Sequence, residues 1–420
     1  MSRPSLSSSQ TAERPLARRR PSSVPLRIVA TCFMSMMVAV NYTNYSPLIA
    51  TIRSELHATS GQVGLFSTLL FLGLALAYIP AGILGDRIGA RPVLIGSCAL
   101  MGVGAVLLPL FPNLLWMLTC RLLVGLGSGA AFITGAGIAA GLGKHAPLGQ
   151  GMYGGATQAG SGLGLLLTPH LLTAIGWRGS FLFWGLLCAS SVLFWFFVND
   201  GREVHTPTPV NLKLAVRSPA IWTLGLSHLG TFGLGNAIAA WITIYLVTQY
   251  GLPLATAATI GAIALLGGVV FRPLGGILLN RKIIGAIPLL RVGTIMGCIG
   301  VGLLAIPLRF PPFAVVGMSL IAVGSTIPYT SVFNSAANLR SAGKGVAQGI
   351  LSVISSPTVI IGPPLIGFLV DRTGNFLLAF GSIMLFGLVA IVASFLAGPA
   401  LKRDAAVEQE EPALLGPDKQ

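Results

Sequence analysis

Residues 78–87 read YIPAGILGDR, and residues 272–281 read RPLGGILLNR. Set 194 positions apart, the two stretches share Gly-Ile-Leu, then Asp86 or Asn280, then Arg87 or Arg281. Each closes a long apolar run, so one charged turn recurs at the same point of two membrane-sized segments. Weaker echoes keep the same order: Gly154 with Gly349, and Gly176 with Gly374. A long-period repeat in an apolar chain marks a protein built from two like halves.

Composition agrees with that reading. Of 420 residues, 54% are hydrophobic and 9% charged, where soluble domains carry about 25% charged residues. Mean hydropathy is +0.83. About 20 apolar residues at 1.5 Å rise cross the hydrocarbon of a bilayer. Cutting at charges, Gly/Pro clusters and turn signals predicts twelve such helices: 27–50, 62–84, 92–110, 114–139, 148–173, 179–198, 219–248, 256–279, 286–307, 311–333, 345–370 and 374–398. The polar stretch 199–217, NDGREVHTPTPVNLKLAVR, divides them six and six. The expected class is an all-α integral membrane protein of two six-helix bundles related by a pseudo-twofold axis. The bundles span 27–198 and 219–398, joined by a cytoplasmic loop at 199–218. The tails 1–26 and 399–420 are polar and are expected to be disordered.

The net charge of +15 points to orientation rather than to nucleic acid. With the N-terminus in the cytoplasm, 20 of the 26 Lys and Arg fall on the cytoplasmic side. Arg53, Arg178, Arg309 and Arg372 fall opposite, and Arg121 and Arg272 lie inside helices. This asymmetry predicts a multi-pass protein of a cell membrane, a bacterial inner membrane, with both termini cytoplasmic and anionic lipid as a neighbour. All five cysteines lie in apolar runs with no metal-type spacing, so no disulfide, metal or other cofactor is expected. The first apolar run outlasts the core of a cleavable signal peptide. No nucleophile–base cluster or phosphate-cradling loop suggests an enzyme.

Two stretches carry a family resemblance. Gly82-Ile-Leu-Gly-Asp86-Arg87-Ile-Gly89-Ala-Arg91 resembles the signature loop between helices 2 and 3 of the major facilitator superfamily. Arg121-Leu-Leu-Val-Gly125-Leu-Gly127-Ser-Gly129 resembles that family's helix-4 motif. With twelve helices and the second-half echo, the resemblance spans residues 27–398. It implies a two-bundle secondary transporter, working as a single chain by rocker-switch alternating access. Asp86 beside Arg87 and Arg91 then reads as a gate latch, because it can pair only while one packing of the bundles persists. Arg121 matches a family position linked to structure or coupling.

Ionisable residues inside a membrane are functional candidates, because an unpaired charge is costly there. Arg272 lies too deep in helix 8 for easy snorkelling, and Pro273 and Gly275-Gly276 loosen the helix around it. Its guanidinium suits planar oxygens. Arg-Pro followed by Gly in helix 8 also resembles the nitrate/nitrite, oxalate and monocarboxylate porters of the superfamily, in which the equivalent arginine is implicated in anion binding. Nitrate porters of this kind usually carry arginines in both halves, whereas Tyr78 stands at the repeat equivalent of Arg272. That departure suggests one arginine aided by hydroxyl and amide donors. Depth arithmetic places His228, Gln158 and Ser355 in the same layer, and Asn41 and Tyr45 belong to a polar run in helix 1. His228 is the candidate proton carrier. The leading expectation is a transporter of a small anionic solute, by proton symport or anion exchange. The alternative is a proton-coupled exporter of amphipathic drugs or of a metabolite, which a large apolar cavity would favour.

Overall fold

The computed structural model describes residues 22–142, 146–198, 212–306, 310–337, 339 and 344–414. Twelve crossings follow one another as expected. The first is α1 (Val24–Thr43), a 3-10 turn at Ser46–Leu48, and α2 (Ile49–Leu56). Then come α3 (Ser60–Ile88), α4 (Ala90–Leu107) and α5 (Leu114–Ala140). The fifth and sixth form one run, α6 (Ala146–Phe197), broken at Gly176. Its apolar part of 49 residues would extend roughly 70 Å at 1.5 Å per residue, over twice a bilayer core. It therefore folds back as two crossings.

In the second half, α7 (Leu212–Arg217) leads into a seventh crossing made of α8 (Pro219–His228), a π-turn at Leu229–Gly233, and α9 (Leu234–Tyr250). The eighth and ninth are α10 (Leu254–Asn280) and α11 (Ala286–Ala305). The tenth is α12 (Pro311–Thr326) with α13 (Tyr329–Ala337), and the eleventh α14 (Lys344–Ile354) with α15 (Pro357–Thr373). The last is α16 (Phe376–Leu414). Gly176 and Gly374, paired by the sequence echo, have φ of 70° and 64° where crossings five and eleven end. Only glycine adopts that turn without strain.

Small residues set the packing inside each half. In α5, Gly125 and Gly129 lie against the α3 backbone at Leu70 and Leu74, while Gly127 meets α4 at Ser97 and Met101. Close approach of this kind is how apolar helices associate without a hydrophobic drive between them. Two arginines close the two halves in the same way. Arg91 donates from Nε to Trp195 O at 2.8 Å and from Nη2 to Phe196 O at 2.6 Å. Arg291 donates to Ser394 O and Phe395 O. Both reach backbone carbonyls of the last helix of their own half, Arg91 at the end of α6 and Arg291 within α16.

One expectation is corrected here. The segment after 398 is not irregular: α16 continues to Leu414. Its Ala, Glu, Lys and Gln are strong helix formers, and Asp404 ties the extension down by accepting from Ser218 Oγ and the Ala220 amide at the start of α8. Most of the proposed N-tail and central loop, and residues 415–420, lie outside the described residues.

The halves meet along two seams, α6 against α10 and α3 against α14 and α15. The end of the molecule remote from both chain ends, here called distal, is closed. Gly367 packs on Ser60 and Gly64 on Pro363-Pro364. Ser67 and Thr68 donate to Val359 O and Ile360 O, and Ser46 donates to Ala239 O and Ala240 O.

Candidate functional site

Between the halves lies a small cavity of about 20 Å³, room for about one water molecule. Tyr42, Tyr78, Phe132 and Thr157 face it from the first half. From the second come His228, Phe232, Arg272, Tyr329, Phe333, Ser352 and Ser355. All are buried. A larger depression of about 270 Å³ around Tyr245, Tyr250 and Asn375 lies at the distal end of the second half. No charged side chain lines it among the described residues, and it shares no lining residue with the cavity.

Breaks in the helices build the cavity wall. The seventh crossing widens into its π-turn immediately after His228, a distortion found often at functional positions. The tenth breaks at Ile327-Pro328 and the eleventh at Ser355-Ser356 before Pro357. Each interruption turns side chains into the seam: His228 and Phe232, Tyr329 and Phe333, Ser352 and Ser355. Interrupted helices at mid-membrane are tolerated where protein or a cavity surrounds them.

Arg272 is 3% exposed. Its Nη1 donates to Gly154 O at 2.8 Å. One face of the guanidinium lies over Tyr329, 4.1 Å from the ring centroid. Gly154 is required for this arrangement, since a Cβ there would stand 2.8 Å from Tyr329 and 3.2 Å from the Arg272 side chain. Nε has no partner, nor has the buried Tyr329 hydroxyl. No carboxylate pairs with Arg272 among the described residues. A desolvated cation without a counterion is expensive, so a built site of this kind is ready for an anion. His228 shares the wall, with Nδ1 2.7 Å from Thr231 Oγ1 and its ring stacked on Phe232.

Tyr78 from the first half and His228, Arg272 and Ser355 from the second thus line one cavity. Asn41, Tyr45 and Gln158 do not. Gln158 packs its stem on Gly268 of α10. Asn41 and Tyr45 serve Arg121, a second buried guanidinium: Nη1 donates to Asn41 O at 2.8 Å and Nη2 to Asn44 Oδ1 at 3.0 Å. Tyr45, Phe66 and Phe181 surround it at 5.1–5.6 Å. Helical phase explains the correction. Asn44 and Tyr45 turn their side chains to Arg121, the Asn41 side chain donates to Met37 O and to Cys188 Sγ within the first half, and Tyr42, about 100° round the helix from Asn41, faces the seam instead. Sequence reasoning also passed over Phe132, Thr157, Phe232, Tyr329 and Phe333. Pro328 and Ser355-Ser356-Pro357 were the available signals for the last of the breaks.

Of the residues expected to form a gate, Asp86 and Arg87 lie on the last turn of α3, at the end nearer the chain termini. Arg87 is exposed there, and the Asp86 side chain is outside the described residues. Arg91 is occupied within its own half. Among the described side chains, the carboxylate that crosses between halves is Asp371, at the opposite end. Its Oδ2 accepts from the Gly61 amide at 2.9 Å, in the first turn of α3, and its Oδ1 is 3.9 Å from Arg53.

Residues 31–356 match the model of the Major Facilitator Superfamily. The chain is 26% identical over 410 residues to the probable sulfoacetate transporter SauU of Cupriavidus necator, covering 90% of this chain and 94% of that one. It is 27% identical over 365 residues to the nitrite extrusion protein of Bacillus subtilis, covering 83% and 88%. Among solved structures, a bacterial homolog of the human lysosomal transporter Spinster, inward-facing and occupied, superposes with a TM-score of 0.71. The identity is 16%, over 91% of this chain and 99% of that one, a likeness of fold alone.

Proposed function

The chain belongs to the major facilitator superfamily, and from that premise we propose that it is a secondary transporter carrying a small anion by alternating access. The solute is a carboxylate or an inorganic oxyanion. The observation that carries the reading is Arg272, a guanidinium buried at the seam with an unpartnered Nε and no described counterion. Relatives named for sulfoacetate and nitrite support the same class.

In this reading Arg272 holds the anion, while Tyr78, His228 and Ser355 offer further polar contacts with Tyr42, Thr157 and Tyr329. Asp371 and Arg53 latch the distal end, and Asp86 and Arg87 belong to the gate at the other. The 20-to-four distribution of basic residues supports a cell-membrane protein with cytoplasmic termini, and the bacterial relatives support the membrane of a bacterial cell. The transport unit is one chain.

A thermal-shift panel on the purified protein tests the reading. Small anions are expected to stabilise it, by about 2.7 kcal/mol at 100 times their Kd. Stabilisation by hydrophobic cations alone would favour the exporter. Coupling is by anion exchange or by a co-transported proton, for which His228 is the candidate carrier. If it carries the proton, His228→Gln in proteoliposomes should remove the dependence of uptake on a pH gradient while leaving anion counterflow intact. Unchanged dependence removes His228 from coupling.

A further inference from the structure

We infer that the site takes a singly charged planar oxyanion, gripped side-on by Nε and Nη2 of Arg272. This rests on the anion reading and narrows it. Three sides of the guanidinium can be told apart. Nη1 is engaged by Gly154 O, one face lies over Tyr329, and Nε is buried without a partner. Nε and Nη2 present parallel hydrogens along one edge, and two oxygens of a carboxylate, nitrate or nitrite match that spacing. A spherical ion cannot fill both hydrogen bonds with the same linearity.

Valence follows from what else lines the cavity. Arg272 is the one permanently charged residue among the described lining residues. One negative charge cancels it. The second charge of a dianion would be buried beside Phe132, Phe232 and Phe333, with hydroxyl groups as its only described polar neighbours apart from His228. His228 is already engaged through Nδ1 by Thr231. An unpaired charge in such surroundings is strongly disfavoured.

The test measures binding to the purified protein at pH 8, where an ordinary imidazole of pKa about 6.5 is neutral. Nitrate, formate and acetate are compared with oxalate, malonate and sulfate, and with chloride as a spherical monoanion. Wild type is expected to bind a planar monoanion at least about tenfold more tightly than any dianion or chloride. Arg272→Lys keeps the charge without the fork and should erase most of the preference over chloride. Tyr78→Arg places a second cation on the wall and should improve dianions relative to monoanions. Should that variant not fold, the wild-type ranking still decides. A dianion bound as tightly as any monoanion, with binding lost in Arg272→Ala, overturns the valence inference and leaves the anion reading standing. Chloride bound as tightly as nitrate overturns the side-on grip. Anion binding that survives Arg272→Ala, or no binding across the panel, overturns the anion reading itself.

Discussion

Arg272→Ala is expected to abolish anion transport and to weaken anion binding by at least about 100-fold. Two charge-assisted hydrogen bonds of roughly 1.5 kcal/mol or more each are lost together, and about 1.4 kcal/mol corresponds to each factor of ten. The ligand-free protein should nonetheless keep its fold. Arg272 makes one hydrogen bond through its guanidinium, to Gly154 O, and leaves Nε unpaired. Removing a buried cation that lacks a counterion relieves a desolvation cost of several kcal/mol, which offsets the lost contact with Tyr329. The expected signature is an unliganded melting temperature at or above that of wild type, with no further rise on adding anion. A variant that melts far lower would instead mark Arg272 as a structural tie between α6 and α10. Wild-type affinity in a folded variant would end its role as the anion ligand.

Gly64→Val is expected to stop the transport cycle without unfolding either half. A Cβ at Gly64 would stand 2.6 Å from Pro364 Cα and 2.8 Å from Pro363 O. Both atoms are backbone, so neither can swing away as a side-chain tip would. The clash falls across the distal seam, and the packing of α3 on α5 within the first half is untouched. Distal closure therefore fails, and the chain is held open on that side. Ser67 is buried behind this contact. Ser67→Cys should become reactive to an impermeant thiol reagent from the distal side in the Gly64→Val background and remain protected otherwise. Gly96→Ala is the control, since nothing lies within 4 Å of a Cβ there. Normal transport by Gly64→Val would mean that the seam does not close during the cycle.

Much of the fold was legible because hydropathy and charge act on each segment independently. A run of apolar residues partitions into the bilayer whatever its neighbours do, so twelve crossings could be counted from the chain, including two inside the run broken at Gly176. The repeat placed Tyr78 opposite Arg272, and depth along the helices gathered His228 and Ser355 into the same layer. The tertiary structure decided which face of each helix meets the seam. Tyr42 lines the cavity and its neighbours Asn41 and Tyr45 hold Arg121, a choice made by helical phase and by what packs on α1. The aromatic wall depends on three interruptions, the π-turn after His228 and the breaks at Pro328 and Ser355-Ser356. Their effect is to aim Phe232, Tyr329 and Phe333 inward, a direction that exists only relative to the opposing half. The cross-half contact of Asp371 has the same character: its partner, the Gly61 amide, is 310 positions away. Local sequence specifies what a segment is. Which groups meet across two bundles is specified by close packing between their helices, a property of all twelve crossings at once.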